Sequence, residues 1–96
     1  MPQLIRYDSV TIDAVSRTPL TAIVDCSVIR IINGDTVNAC TLYDASTGGG
    51  SLPLPAGADV TYRRSPNRGG HWGFGETILW AQADAGTGPI RVEYLI

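Results

Sequence analysis

The stretch TAIVDCSVIRIINGDTVNACTLYDA, residues 21–45, decides the fold class. Its first half, TAIVDCSVIRIIN, is nearly continuous in apolar and β-branched side chains around Ile29 to Ile32. Such a run reads as a central strand covered on both sides. NGDT at 33–36 then breaks it, because Asn and Gly accept positive φ at little steric cost. NACTLYDA (38–45) resumes strand composition and ends in STGGGS, a tip with almost no side chain to pack. A hairpin turning on Gly34–Asp35 would set Ile29 opposite Cys40 and Cys26 opposite Tyr43. Side chains alternate between faces, so Cys26 and Cys40 are expected on opposite sides of the sheet. Both are therefore expected as free thiols that act as small buried hydrophobes.

The same pattern recurs on either side. LIRYDSVTIDAV (4–15) alternates, with Val10, Ile12 and Ala14 on one face and Thr11 and Asp13 on the other. LPLPAGADVTYRR (52–64) carries two prolines that exclude a central strand before ADVTY resumes one. ETILWAQAD (76–84), the turn AGTGP and IRVEYLI (90–96) complete the series, the last with Ile90, Val92, Tyr94 and Ile96 on one face. Helical periodicity is absent from these runs. Short strands and short turns predict an all-β chain: a small antiparallel β-sandwich, Ig-like or jelly-roll-like, of about six to eight strands. Residues 1–96 read as a single domain, with residues 1–20 as an N-terminal arm or strand that can pair with a neighbour's exposed edge.

Composition narrows the function classes. A chain of 96 residues has a thin stability margin, and its 17% charged content is low, which suggests that partners cover part of the surface. Net charge is −2, too small to select an acidic or a basic partner. All seven basic residues are arginine, so Schiff-base chemistry and a lysine-bearing phosphate loop are excluded. No apolar run approaches the ~20 residues that span a bilayer, so no membrane partner is expected. MPQLIRYDSV has no basic segment leading into an apolar core, so no signal peptide and a cytoplasm-like site of synthesis are expected.

One stretch stands apart. YRRSPNRGGHWGFGE (62–76) holds three arginines, four glycines, the sole His and the sole Phe. As an active site it lacks a constellation: His71 has no G-x-S-x-G elbow to serve, and both cysteines sit in apolar strands. Zinc needs four close ligands, and one His with two distant Cys do not supply them, so no metal or cofactor is expected. Stacking rings beside Arg63, Arg64 and Arg68 suit single-stranded nucleic acid, yet the chain is acidic overall and too poor in cations for sustained phosphate binding. Arg and Trp are enriched at protein–protein hot spots, so the stretch reads as a partner-facing loop carried by Arg63, Arg64, Arg68, His71 and Trp72. The plainer alternative is that Trp72 and Phe74, alternating along a short strand, point inward and close one end of the core while the arginines project.

IRIINGDTVNACTLYDAS, LPLPAGADVTY and GETILWAQADAGTGPIRVEYLI, in that order, resemble small β-sandwich virion proteins of tailed bacteriophages. The likeness lies in N-x-D-T-V at Asn33 to Val37, the Thr41–Leu42 strand, Ala56–Gly57 before Val60, Gly75–Glu76 leading to Ile78, Ala81 and Ala83, and a last V-x-V-type strand at Val92 and Tyr94. RRSPNRGGHWG departs from it, being longer and more aromatic than expected there. The resemblance implies a capsid decoration (cement) protein without enzymatic turnover, on the virion surface, assembled in the host bacterial cytoplasm. Its implied partners are the major capsid protein and copies of itself, as a homotrimer. The alternative it implies is a tail, baseplate or fibre module contacting other tail proteins or host glycans.

Overall fold

Eight strands carry the chain in a computed structural model that describes residues 3–64 and 70–96. They are β1 (Leu4–Asp13), β2 (Thr18–Thr21), β3 (Val28–Asn33), β4 (Cys40–Tyr43), β5 (Ser51–Leu54), β6 (Asp59–Arg63), β7 (Thr77–Ala83) and β8 (Thr87–Leu95). Two four-stranded antiparallel sheets result, in the orders β1-β8-β3-β6 and β2-β7-β4-β5. The chain changes sheet at every connection except β4–β5, its one hairpin among the described residues. These two orders with this alternation are the jelly-roll arrangement of the antiparallel sandwich. The all-β sandwich is thus present, and of the two topologies expected, the Ig-like one is set aside.

Between the sheets lies one core. Ile29, Ile31, Ile90, Val92 and Tyr94 enter it from the first sheet, and Leu20, Leu42 and Ala81 from the second. Tyr94 is the largest fully buried side chain, and its hydroxyl donates to the Thr21 carbonyl at 2.9 Å, tying β8 to the opposite sheet. The outer face of the first sheet is polar instead. Arg30 bonds Asp59 at 2.7 Å and Glu93 at 3.2 Å, Arg91 bonds Glu93 at 2.9 Å, and Arg91 stacks on Tyr7 at 4.0 Å. β3 is therefore central, but the expectation of apolar cover on both sides is corrected: half-buried Arg30 and Ile32 face this ionic lattice.

The Gly34–Asp35 hairpin is also corrected. β3 pairs with β6 and β8, setting Ile29 opposite Tyr62 and Tyr94, while Cys40 lies opposite Leu54 and Ala83 in the other sheet. NGDT is an arch between layers, and its side chains explain why. Asn33 is buried, and its amide Nδ2 donates to the carbonyls of Asn38, Leu54 and Pro55 at 3.0, 3.2 and 3.3 Å. Asp35 Oδ1 accepts the N–H groups of Val37 and Asn38 at 2.8 and 3.1 Å, bonds that hold its carboxyl below the usual range. Those bonds direct the chain out of its sheet instead of back along it. A Cβ on Gly88 would sit 2.8 Å from Asp35 Oδ2, so a side chain there would displace the carboxylate that caps the arch.

Two short strands lay outside the expected set. β2 and β5 contain Pro19 and Pro53, and both occupy sheet edges, where a missing N–H costs no ladder bond. The cysteines are free and buried, as expected, but by a different route: both point into the single core. Ellman's reagent is expected to find two thiols per chain in denaturant and to react far more slowly with the native protein. Absence of free thiol in denaturant would mean that the pair is oxidised.

Candidate functional site: the connection between β6 and β7

Arg63 ends β6 opposite Val28 and is exposed. Arg64, the next residue, is half-buried: its guanidinium meets Glu76 at 3.0 Å and lies over the Trp72 ring at 4.7 Å. Trp72 is itself anchored, forming an isolated β-bridge with Cys26 through Trp72 N–H to Cys26 O at 2.6 Å and the reverse bond at 3.0 Å. Its ring packs against the core, and its indole Nε1 is buried with no hydrogen-bond partner among the described residues. His71 is exposed and, with Asp25, Cys26, Ser27 and Ile96, lines a shallow depression of about 240 Å³. Arg68 lies outside the described residues.

Phe74 differs from the inward position expected of it. It is 77% exposed at the tip of a four-residue turn closed by Glu76 N–H to Gly73 O at 3.0 Å. Gly75 takes the left-handed φ of +84° that such a turn needs. Two further bonds stiffen the tip: Asp25 Oδ1 accepts the Phe74 N–H at 2.7 Å, and Glu76 Oε2 accepts the Gly73 N–H at 3.1 Å. The far side is fixed to the sandwich by Gly75 N–H to Ala22 O at 2.8 Å and Ala22 N–H to Glu76 O at 2.9 Å. Glycine on both sides of Phe74 was the sequence signal for this tip, since GFG suits a turn better than a strand.

Chemically the described part of the connection, residue 64 and residues 70–76, is a hydrogen-bonded display. Trp72, Arg64 and Glu76 form its internal prop, and among the described residues Arg63, His71 and Phe74 present exposed side chains. Cys26 lines the depression beside His71, but burial, helped by Asp25 and Glu76, pushes its thiol up to about 11. At neutral pH it holds its proton and is a poor nucleophile. Among the described residues no three His, Cys, Asp or Glu side chains come together as a metal site would require. Neither the family models, nor the curated proteins, nor the solved structures contain a match to this chain.

Proposed function

We propose that this chain is a bacteriophage virion structural protein, a decoration protein that binds the outer surface of the capsid shell through the β6–β7 connection. The observation that carries the reading is Phe74, a large apolar ring held out in solvent on a hydrogen-bonded turn, on the connection that exposed Arg63 leads into. A pre-ordered aromatic tip loses little entropy on docking, and aromatic side chains are enriched at protein–protein interfaces. The motif order from Asn33 to Ala83 supports the phage assignment by resemblance. The jelly roll is compatible with it, being common in viral capsid and lectin domains, although a fold hosts many functions. On a lattice, weak contacts are multiplied by simultaneous engagement of several subunits.

The first test is copy number per purified particle, measured against the major capsid protein. Hundreds of copies support decoration of the shell. A handful would move the protein to the tail or fibres, where Phe74 would stack on sugar rings. Arg64 and Trp72 belong to the prop, so the informative substitutions are the exposed ones. Phe74→Ala with Arg63→Ala is expected to weaken particle binding at least about tenfold while leaving the melting temperature nearly unchanged. Unchanged occupancy would remove this connection from the interface.

A further inference from the structure

Among the described residues four strand edges are open in the two sheets, at β1, β6, β2 and β5. Natural edges are blunted by brevity, proline or charge. β2 and β5 are four residues long and contain Pro19 and Pro53, and β6 spans five residues with Asp59 and Arg63 at its ends. β1 has ten residues and no proline, and its first half exposes Leu4, Ile5 and Tyr7 at 45%, 39% and 56%. Its deterrents are a register shift between Leu4 and Arg6, which leaves the run beyond it regular, and the charges of Arg6, Asp8 and Asp13.

The outward-facing groups of that run can be identified. In an antiparallel edge strand, alternate residues turn their N–H and C=O away from the neighbour. Ser9 N–H bonds the Asp8 carboxylate at 2.9 Å instead of β8, so Ser9 is an outward residue and Tyr7 and Thr11 share its parity. Arg6 and Asp8, between them, place opposite charges on one face, and neither has an ion pair among the described residues.

We infer that a second copy of this chain pairs antiparallel with the open edge of β1 about a two-fold axis at Tyr7. In that register the outward groups of Tyr7 meet those of its counterpart, and each Arg6 lies directly opposite an Asp8. Moving the axis to Arg6 or to Asp8 sets like charges against each other. Moving it to Ser9 sets Asp8 against Val10 and Arg6 against Ile12. Only the Tyr7 register satisfies the charges, because the strand is self-complementary about that residue. Asp8 exchanges its local bond to Ser9 for the partner's arginine, and the two four-stranded sheets become one eight-stranded sheet. The inference does not rest on the virion reading.

Sedimentation velocity over a concentration series tests it. The parent chain is expected to show a concentration-dependent dimer. Arg6→Asp alone and Asp8→Arg alone each replace two attractive cross-strand pairs with two repulsive ones and should weaken dimerisation roughly tenfold or more. The double variant R6D/D8R should restore it. An equimolar mixture of the two single variants should form a heterodimer, which misfolded variants could not do. A monomer at every concentration, a trimer, or a dimer indifferent to these reversals would overturn the inference.

Discussion

Asn33→Ala is expected to lower unfolding free energy by about 3 kcal/mol, most of the margin of a domain this small. The size of the effect comes from what is left behind. Asn33 is 2% exposed, and its amide serves the carbonyl of Asn38 on the arch it opens and those of Leu54 and Pro55 at the end of β5, while its Oδ1 accepts the Asp35 N–H at 3.0 Å. Alanine would take the donor from the buried Leu54 carbonyl and the part-buried Asn38 carbonyl and the acceptor from the Asp35 N–H, while the Pro55 carbonyl keeps the Ala58 N–H at 3.0 Å. Together those losses outweigh the ~1 kcal/mol of a single exchanged hydrogen bond. In a chain of this size the melting temperature should fall by roughly 15 °C. Val37→Ala, four residues on and 80% exposed, should change stability by less than about 0.5 kcal/mol and serves as the control. A loss below about 1 kcal/mol for Asn33→Ala would mean that water fills the site and the Asp35 turn alone holds the arch.

Asn33 also shows where sequence reading stops. NGDT was legible as a chain reversal from the conformational freedom of Asn and Gly, but the same letters serve a hairpin and an arch. What separates them is the fate of one side chain. Turned outward, Asn33 would be a turn residue; turned inward, it bonds carbonyls of residues 54 and 55, which no local pattern can reveal. Alternation in IRVEYLI located Ile90, Val92 and Tyr94 in the core correctly, because period-two burial is a local property. The outer face of β3 was misjudged for the opposite reason: Arg30 is covered by Asp59 and Glu93, which lie 29 and 63 residues away. In the β6–β7 connection the unusual residues were visible at once, yet their roles were not. Trp72 reads both as a partner contact and as a ring that closes the core, and it packs on the core, bridged to Cys26 and covered by Arg64. Phe74 reads as core and is exposed, because Gly73 and Gly75 bend the backbone away before the ring can turn inward.

Alkaline pH is expected to unfold this protein well before its arginines could lose charge. Three groups packed in the core keep their protons longer in the folded chain than in the unfolded one. Burial, with Asp25 and Glu76 adding repulsion, raises Cys26 to about 11. Burial again, reinforced by Asp84 and Asp35, raises Cys40 to about 11. Tyr94 is pushed up to about 12, chiefly by burial and then by Asp8. Unfolded, the thiols ionise near 9 and the tyrosine near 10. Above pH 9 the unfolded chain therefore binds fewer protons than the folded one, and stability falls as pH rises. The contribution is complete below about pH 9 and is lost progressively up to about pH 12. Melting temperature should hold up to about pH 9 and then drop continuously, with tyrosinate absorbance rising in the same cooperative step as the loss of β-sheet circular dichroism. Replacing both cysteines with alanine removes the earlier component, so the fall should then begin near pH 10, where the unfolded tyrosine starts to ionise. The thiol-free chain will start from a lower melting temperature because two small cavities are opened. Its onset pH, not its plateau, is the quantity that decides. An onset unmoved by the double substitution would assign the alkaline limit to the buried tyrosines alone, with Tyr62, also raised by burial, joining Tyr94.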